Sequence, residues 1–414
     1  MLVALENFFG KFFEKYDGPK LSMSQKVILG AQHTFTMFGA TVLVPIITGL
    51  SISVALFMAG VCTLLFHFLT KGKVPIFLGS SFAFIAPIGI VSGLYGMEYA
   101  LGGIVASGAV YCIMAALVYF LGPKRIMSLF PPVVTGPIIM IIGLMLAPIA
   151  IGSAESNWLL AGISFLVVAG VSVFAKGFIK MLPVICGLVV GYLVAIATGN
   201  VNFAEVANAG WVGLPDFTMA KFSWSAIMIV VPVAIATTVE HIGDMVSISA
   251  ITGKDMIKDP GMHRTLLGDG LSSCLSAMFG GPANTTYSEN TGVLALTKQY
   301  NPVVMRFAAC FAIILSLFPK VAEVLGSIPA AVIGGVSIVL FGMIAAVGAR
   351  NLVENKVDFK SSRNLIIMAV VMVLGLGGAT LAFTVGDGEF MLSGVGLAAI
   401  VGIILNKALP EKFA

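Results

Sequence analysis

Apolar runs of about 20 residues, separated by short polar or Gly- and Pro-marked stretches, recur from residue 26 to residue 407. That is the length a helix needs to cross a hydrocarbon layer roughly 30 Å thick, and it is far too long for barrel strands. The runs place candidate spans at 26–48, 51–70, 74–95, 99–122, 131–151, 157–176, 178–198, 223–250, 264–281, 283–297, 302–320, 324–348, 363–385 and 390–407. The pattern predicts an all-α polytopic membrane protein with fourteen segments. Two of these are irregular: span 74–95 carries Gly79-Ser80-Ser81 in its middle, and span 283–297 follows Gly280-Gly281-Pro282 and runs through Asn284-Thr285-Thr286-Tyr287. Both are expected to be broken helices, which at membrane depth are tolerated only where they line a site or are covered by protein.

The ends and the middle of the chain read differently. Residues 1–25 set Phe8, Phe9, Phe12 and Phe13 against Lys11, Lys15 and Lys20, the pattern of a cytoplasmic or interfacial amphipathic segment. They lack the apolar stretch and cleavage site of a secretory signal. Residues 201–222 are polar enough to be an extracellular connector between two halves.

Composition agrees with the spans and excludes a soluble protein: 58% of the 414 residues are hydrophobic and only 10% charged, for a mean hydropathy of +1.05. The formal charge of +4 is scattered through short loops rather than gathered on one face, so no nucleic-acid partner is expected. With the N-terminus inside, the loops after even-numbered spans should collect Lys and Arg. They do: of the 23 basic residues only Lys221 and Lys320 fall on the opposite side. Arg306 belongs to this cytoplasmic series, and His67, near a cytoplasmic end, is expected to be solvated or interfacial. The five cysteines lie singly in apolar runs without metal-ligand spacing, and read as small packing residues.

The polar residues left inside the spans carry the chemistry. Gln32-His33 and Glu240-His241 are 208 positions apart, and so are Ser81-Phe82 and Glu289-Asn290. Seven spans separate the members of each pair, so the second copy enters the membrane from the other side, as in an inverted repeat of residues 26–200 and 223–414. Ionisable groups at this depth are costly and mark substrate or ion paths. Glu240 and Glu289, if ionised, only accept hydrogen bonds, which suits a neutral ligand presenting N–H groups. Broken helices expose backbone N–H groups near Phe82 and Ser288 to meet carbonyl oxygens, and Phe82 and Tyr287 offer ring faces. Uracil has this alternation of N–H and C=O groups. No nucleophile and base, phosphate loop or metal cluster is present, so no catalytic residue, metal or cofactor is expected.

Several motifs resemble one family closely. These are Gln32-His33 followed by Phe38-Gly39-Ala40-Thr41-Val42-Leu43-Val44-Pro45, then Gly79-Ser80-Ser81-Phe82-Ala83-Phe84, Glu240-His241, and Asn284-Thr285-Thr286-Tyr287-Ser288-Glu289-Asn290-Thr291-Gly292 with Thr297-Lys298. Together they resemble the nucleobase-ascorbate transporter, or nucleobase:cation symporter-2, family over nearly the whole chain, and Glu at 289 favours its uracil branch. The resemblance implies two inverted seven-span repeats, arranged as a core domain (spans 1–4 and 8–11) and a gate domain (spans 5–7 and 12–14). Short strands in spans 3 and 10 would pair at mid-membrane.

In the site that the resemblance implies, Glu240 and Glu289 bind ring N–H groups and the N–H groups of Phe82 and Ser288 meet the carbonyls. Ala40, Ser81, Phe82 and Tyr287 line the pocket, and Asn290 braces it. Some relatives carry His four residues after the first Glu, assigned to proton coupling, where this chain has Asp244; Phe341 stands where relatives have Tyr. Gln32 and His33 are read either as helix-to-helix hydrogen-bonding residues or as coupling residues. Asp244 or Glu240 would take up the proton, the coupling ion, in uracil import by alternating access. The expected location is the plasma (cytoplasmic) membrane, multi-pass, with both termini cytoplasmic. Expected partners are uracil, protons and membrane lipid, with a homodimer left open. A xanthine or purine carrier, sodium coupling and a channel remain as alternatives.

Overall fold

The computed structural model of the chain describes residues 21–385 and 388–410. The amphipathic segment expected at the N-terminus lies outside the described residues apart from its last few positions. The chain folds as α1 (Met23–Thr48), α2 (Ile52–Leu69), β1 (Leu78–Ser80), α3 (Ile85–Leu94), α4 (Met97–Leu121), α5 (Pro132–Met145), α6 (Ala147–Glu155), α7 (Trp158–Phe174) and α8 (Pro183–Ala197). After the connector come α9 (Trp224–Val230), α10 (Val233–Thr252), α11 (Met262–Met278), β2 (Asn284–Thr286), α12 (Ser288–Thr297), α13 (Val303–Ser316) and α14 (Pro319–Gly326). The chain continues through α15 (Ala330–Glu354), α16 (Ser362–Leu376), β3 (Thr380–Val385), β4 (Gly388–Ser393) and α17 (Gly394–Ala408).

Local signals set several of these boundaries. α1 opens on a capping box, in which the Ser22 hydroxyl accepts from the Gln25 N–H and the Gln25 side chain accepts from the Ser22 N–H. It closes at Gly49, whose φ of 80° suits the left-handed cap. Ser51 and Asn157 cap α2 and α7, and Pro132 and Pro183 stand at helix starts, where no N–H is missed.

Six helical stretches among the described residues are long and apolar enough to cross a membrane: 23–48, 52–69, 97–121, 132–155, 224–252 and 330–354. α13 and α14 form a bent pair, turning by 84°, that qualifies as one more. The expected irregularities in the third and tenth runs are present, each as a strand followed by a short helix. One expectation fails: the run 363–385 is not helical to its end. α16 stops at Leu376, and β3 and β4 pair antiparallel, so the last run begins as strand.

Small residues let the helices approach closely, as expected where no hydrophobic force separates protein from lipid. α4 crosses α11 at Gly108 and Gly270: a Cβ on either would lie 2.7 Å from the other's carbonyl oxygen. α5 crosses α15 at Gly136 and Gly348, where a Cβ on Gly348 would lie 2.6 Å from Gly136 O. Around these crossings two sets of helices form, α13 packing on α1 and α2 with α11 on α2 and α4, while α15 packs on α5, α6 and α7 and α16 packs on α5 and α17.

The connector is laid down on the first set. The Lys221 N–H donates to Glu98 O (2.9 Å), Gly213 N to Leu317 O (3.0 Å) and Lys320 N to Gly210 O (3.2 Å), while Lys221 also pairs with the Glu98 carboxylate. Phe217 packs edge-on against Phe57 and Phe279. On the opposite side of the bundle, the expectation of a solvated or interfacial His67 is overturned. His67 is fully buried and Arg306 is 3% exposed, because each satisfies the other and the neighbouring turn carbonyls.

Candidate functional site

The site is organised by two three-residue strands. β1 and β2 pair antiparallel with Leu78 opposite Thr286, Gly79 opposite Thr285 and Ser80 opposite Asn284. Backbone bonds from Tyr287 N to Phe77 O (3.1 Å) and from Ser81 N to Ala283 O (2.9 Å) extend the ladder at both ends. Two strands this short do not hold alone, and hydroxyls on the adjacent helices complete them. Thr63 of α2 accepts from Leu78 N at 2.9 Å and donates to Leu78 O at 3.3 Å, and Ser273 of α11 makes the same two bonds to Asn284, at 3.1 and 3.0 Å. α2 and α11 themselves meet through reciprocal contacts, Cys62 Sγ to Ser272 O and Ser272 Oγ to Cys62 O, both 3.2 Å.

Each strand leads directly into a helix, through the turn at Phe82 into α3 and at Ser288 into α12. Because the strands are antiparallel, the helices depart in opposite directions and their N-termini stay at the sheet. The first N–H groups of a helix have no partner within it and carry the positive end of its dipole. Phe82 and Ser288 thus offer donors from two sides.

Tyr287 locks the sheet to α1. Its hydroxyl donates to Ser80 O at 3.1 Å and accepts from Thr41 at 3.3 Å, while Ser80 Oγ donates to Thr41 O at 3.0 Å. Gly79 is required beneath that ring, since any Cβ there would collide with it. Gly79→Ala is therefore expected to cost about 1–3 kcal/mol of stability by overpacking and to displace Phe82. Thermal unfolding of the purified variant, with ligand binding measured on the folded fraction, checks both.

The acids face this sheet from α10 and α12. Asp244 accepts from Thr286 Oγ1 at 2.5 Å and from Ser288 Oγ at 2.8 Å, joining the end of β2 to the start of α12. Glu240, one turn earlier, is half-buried and its carboxylate accepts no hydrogen bond among the described residues. Glu289, in the first turn of α12, meets only its own backbone N–H. The three carboxylates lie close enough for their charges to interact. Two of the three are thus free of side-chain partners, in a position where an unpaired buried charge is costly. Ser81 Oγ, buried beside Phe82, is likewise unbonded.

The remaining expected residues divide. Ala40 is buried on α1, and Tyr287 and Ser81 stand at the sheet. The Phe82 ring packs edge-on against Phe341 of α15, centroids 5.9 Å apart. Beyond it lies an apolar cavity lined by residues such as Ala86, Ile90, Ile142, Met145 and Val395 rather than by the acids. Asn290 donates to His33 Nδ1 and to His33 O, both at 3.1 Å, so His33 joins α1 to α12. Gln32 turns away from the acids, its amide reaching Met181 Sδ at 3.4 Å. Sequence reasoning missed Thr286 as a partner of Asp244, and it missed the pair of His241 Nδ1 with Asp269 Oδ2 at 3.1 Å, where both side chains are fully buried. An Asp inside an otherwise small-residue helix was the available signal.

Half-helices that meet at a buried sheet beside membrane-embedded acids, within a bundle of apolar helices, define a membrane transporter and not an enzyme. The model of the Permease family matches residues 24–383, and the chain belongs to that family, in agreement with its nucleobase-ascorbate transporter motifs. It is 44% identical over 397 residues to a "Probable uracil permease" of Pasteurella multocida, covering 94% of each chain. It is 43% identical over 406 residues to a "Uracil permease" of Bacillus caldolyticus, covering 94% of this chain and 93% of that one. It is also 42% identical over 410 residues to the "Putative pyrimidine permease RutG" of Escherichia coli, covering 95% and 91%. Among solved structures, the transmembrane domain of the cyanobacterial bicarbonate transporter BicA superposes with a TM-score of 0.61 at 14% identity, covering 94% of this chain and 98% of that one. SLC26A9 superposes with 0.66 at 12%, covering 92% and 64%. The likeness to these two is one of fold.

Proposed function

We propose that the chain imports uracil together with a proton across the cytoplasmic membrane, by alternating access. The observation that carries this reading is the donor and acceptor pattern at the sheet. Two carboxylates without side-chain partners, Glu240 and Glu289, stand beside two helix N-termini, Phe82 and Ser288. Uracil presents two ring N–H groups and two carbonyls, so each finds a partner of opposite kind. The names carried by relatives more than 40% identical support the same substrate.

Asp244 is the group we assign to the proton. Both of its partners are hydroxyls, which accept as readily as they donate, so a proton can arrive or leave without orphaning a neighbour. Those hydroxyls sit on β2 and at the start of α12, which ties the proton to the geometry of the substrate site. Glu240 and Glu289 remain acceptors for the ligand.

The fourteen-segment reading counts each strand with its short helix as one span. Inverted repeats are supported by the matched clamps of Thr63 on Leu78 and Ser273 on Asn284, and by the reciprocal Cys62–Ser272 contacts. Movement would occur between the set holding α1–α4 and α9–α13 and the set holding α5–α8 and α15–α17, across the Phe82–Phe341 contact. Uptake of labelled uracil by cells lacking their own carrier tests the substrate: uracil should compete fully and xanthine poorly. Preferential competition by xanthine would favour a purine carrier.

A further inference from the structure

We infer that Arg306 and His67 form a relay that positions the Phe82 N–H group without touching the ligand. Arg306 enters from α13, is 3% exposed, and donates from Nε to His67 Nδ1 at 3.2 Å and from Nη2 to Gly72 O at 3.1 Å. Guanidinium has no acceptor, so His67 Nδ1 must be the accepting nitrogen. The proton of the neutral ring then sits on Nε2, which lies 2.9 Å from Ile76 O and donates to it. Arg306 therefore fixes the tautomer, the tautomer fixes Ile76, and Ile76 precedes β1 by two residues.

The second half of the chain supplies the internal comparison. The carbonyl two residues before β2 is Pro282 O, and it is held by the Ser276 hydroxyl of α11 at 2.6 Å. In both halves a side chain of the preceding helix catches the same carbonyl, and a hydroxyl clamps the first strand residue two positions later. The Pro282 clamp is a single short side chain, fixed by its own helix. The Ile76 clamp is a long imidazole with a tautomer choice, and it needs a second helix, α13, to set it. The approach to Phe82 thus depends on α13 in a way that the approach to Ser288 does not.

This role rests on the proposed uracil site for its effect on binding, but the position of β1 can be read without any ligand. The experiment uses the full chain in lipid nanodiscs, with Arg306→Ala, Arg306→Lys, His67→Leu and the double variant Arg306→Ala/His67→Leu. Amide hydrogen exchange is followed by mass spectrometry in peptides covering 76–84 and 284–290, alongside equilibrium binding of labelled uracil. The relay predicts faster exchange in 76–84 and unchanged exchange in 284–290. Uracil affinity should fall by roughly 10-fold to 100-fold, the scale of a remote misplacement. The double variant should match the worse single variant within about twofold, since both break one chain. Arg306→Lys, with a cation but no fork, should fall between wild type and Arg306→Ala. Unchanged exchange in 76–84, or an equal rise in both peptides, overturns the relay. Should the wild type fail to bind uracil, the substrate assignment falls while the exchange data still decide the relay.

Discussion

Glu289→Ala is expected to weaken uracil binding by at least an order of magnitude while leaving the protein folded. The carboxylate meets only its own backbone N–H, so its removal orphans no other protein group and should hardly move the unfolding temperature. The ligand loses more. A ring N–H that has left water would face a methyl group, and truncating one side of a buried hydrogen-bonded charge costs about 2–5 kcal/mol. At 1.4 kcal/mol per decade, that weakens binding by roughly 30-fold to several thousand-fold. Isothermal titration of the purified variant measures the loss. Glu289→Gln keeps one acceptor oxygen and should lose less. Wild-type affinity in the alanine variant would remove Glu289 from the site.

Asp244→Asn should separate binding from energy coupling. The amide retains an oxygen for one hydroxyl and an NH2 group for the other, which rotates to accept, so the tie between Thr286 and Ser288 survives. What is lost is the ability to take up a proton. A proton moving down a membrane potential supplies about 2.3 kcal/mol per 100 mV, enough for roughly 50-fold accumulation of a neutral solute. The variant is expected to exchange labelled for unlabelled uracil across the membrane and yet to accumulate none above equilibrium, about a 50-fold loss. Uphill uptake retained in Asp244→Asn would move the proton to another acid, Glu240 first.

Much of this was legible in the chain. Gly79-Ser80-Ser81 and Asn284-Thr285-Thr286-Tyr287 interrupt their apolar runs with residues poor in helix propensity and rich in hydroxyls, and both became strands. Glu240 and Glu289 stood out because charge at membrane depth is rare. The strand pair β3–β4 was hidden because apolar residues continue beyond α16 and period alone does not separate a buried helix from a strand. The sequence Gly386-Asp387 between the two strands is a hairpin signal, outweighed by the hydrophobicity around it. His67 was misread for another reason. It lies near a helix end, where local sequence predicts solvent, and only the packing of α13 on α2, which brings Arg306 from 239 positions away in sequence, buries the two together. His241 and Asp269 likewise become a pair only once α10 and α11 are side by side.

The central claim is that this site couples uracil to the proton gradient. The most direct measurement is the time course of labelled uracil entering proteoliposomes that contain only this chain, under an imposed inward proton gradient without sodium. The account predicts saturable accumulation above equilibrium that collapses on adding a protonophore and is lost in Glu289→Ala. Non-saturable entry, a requirement for sodium, or accumulation indifferent to the protonophore would contradict it.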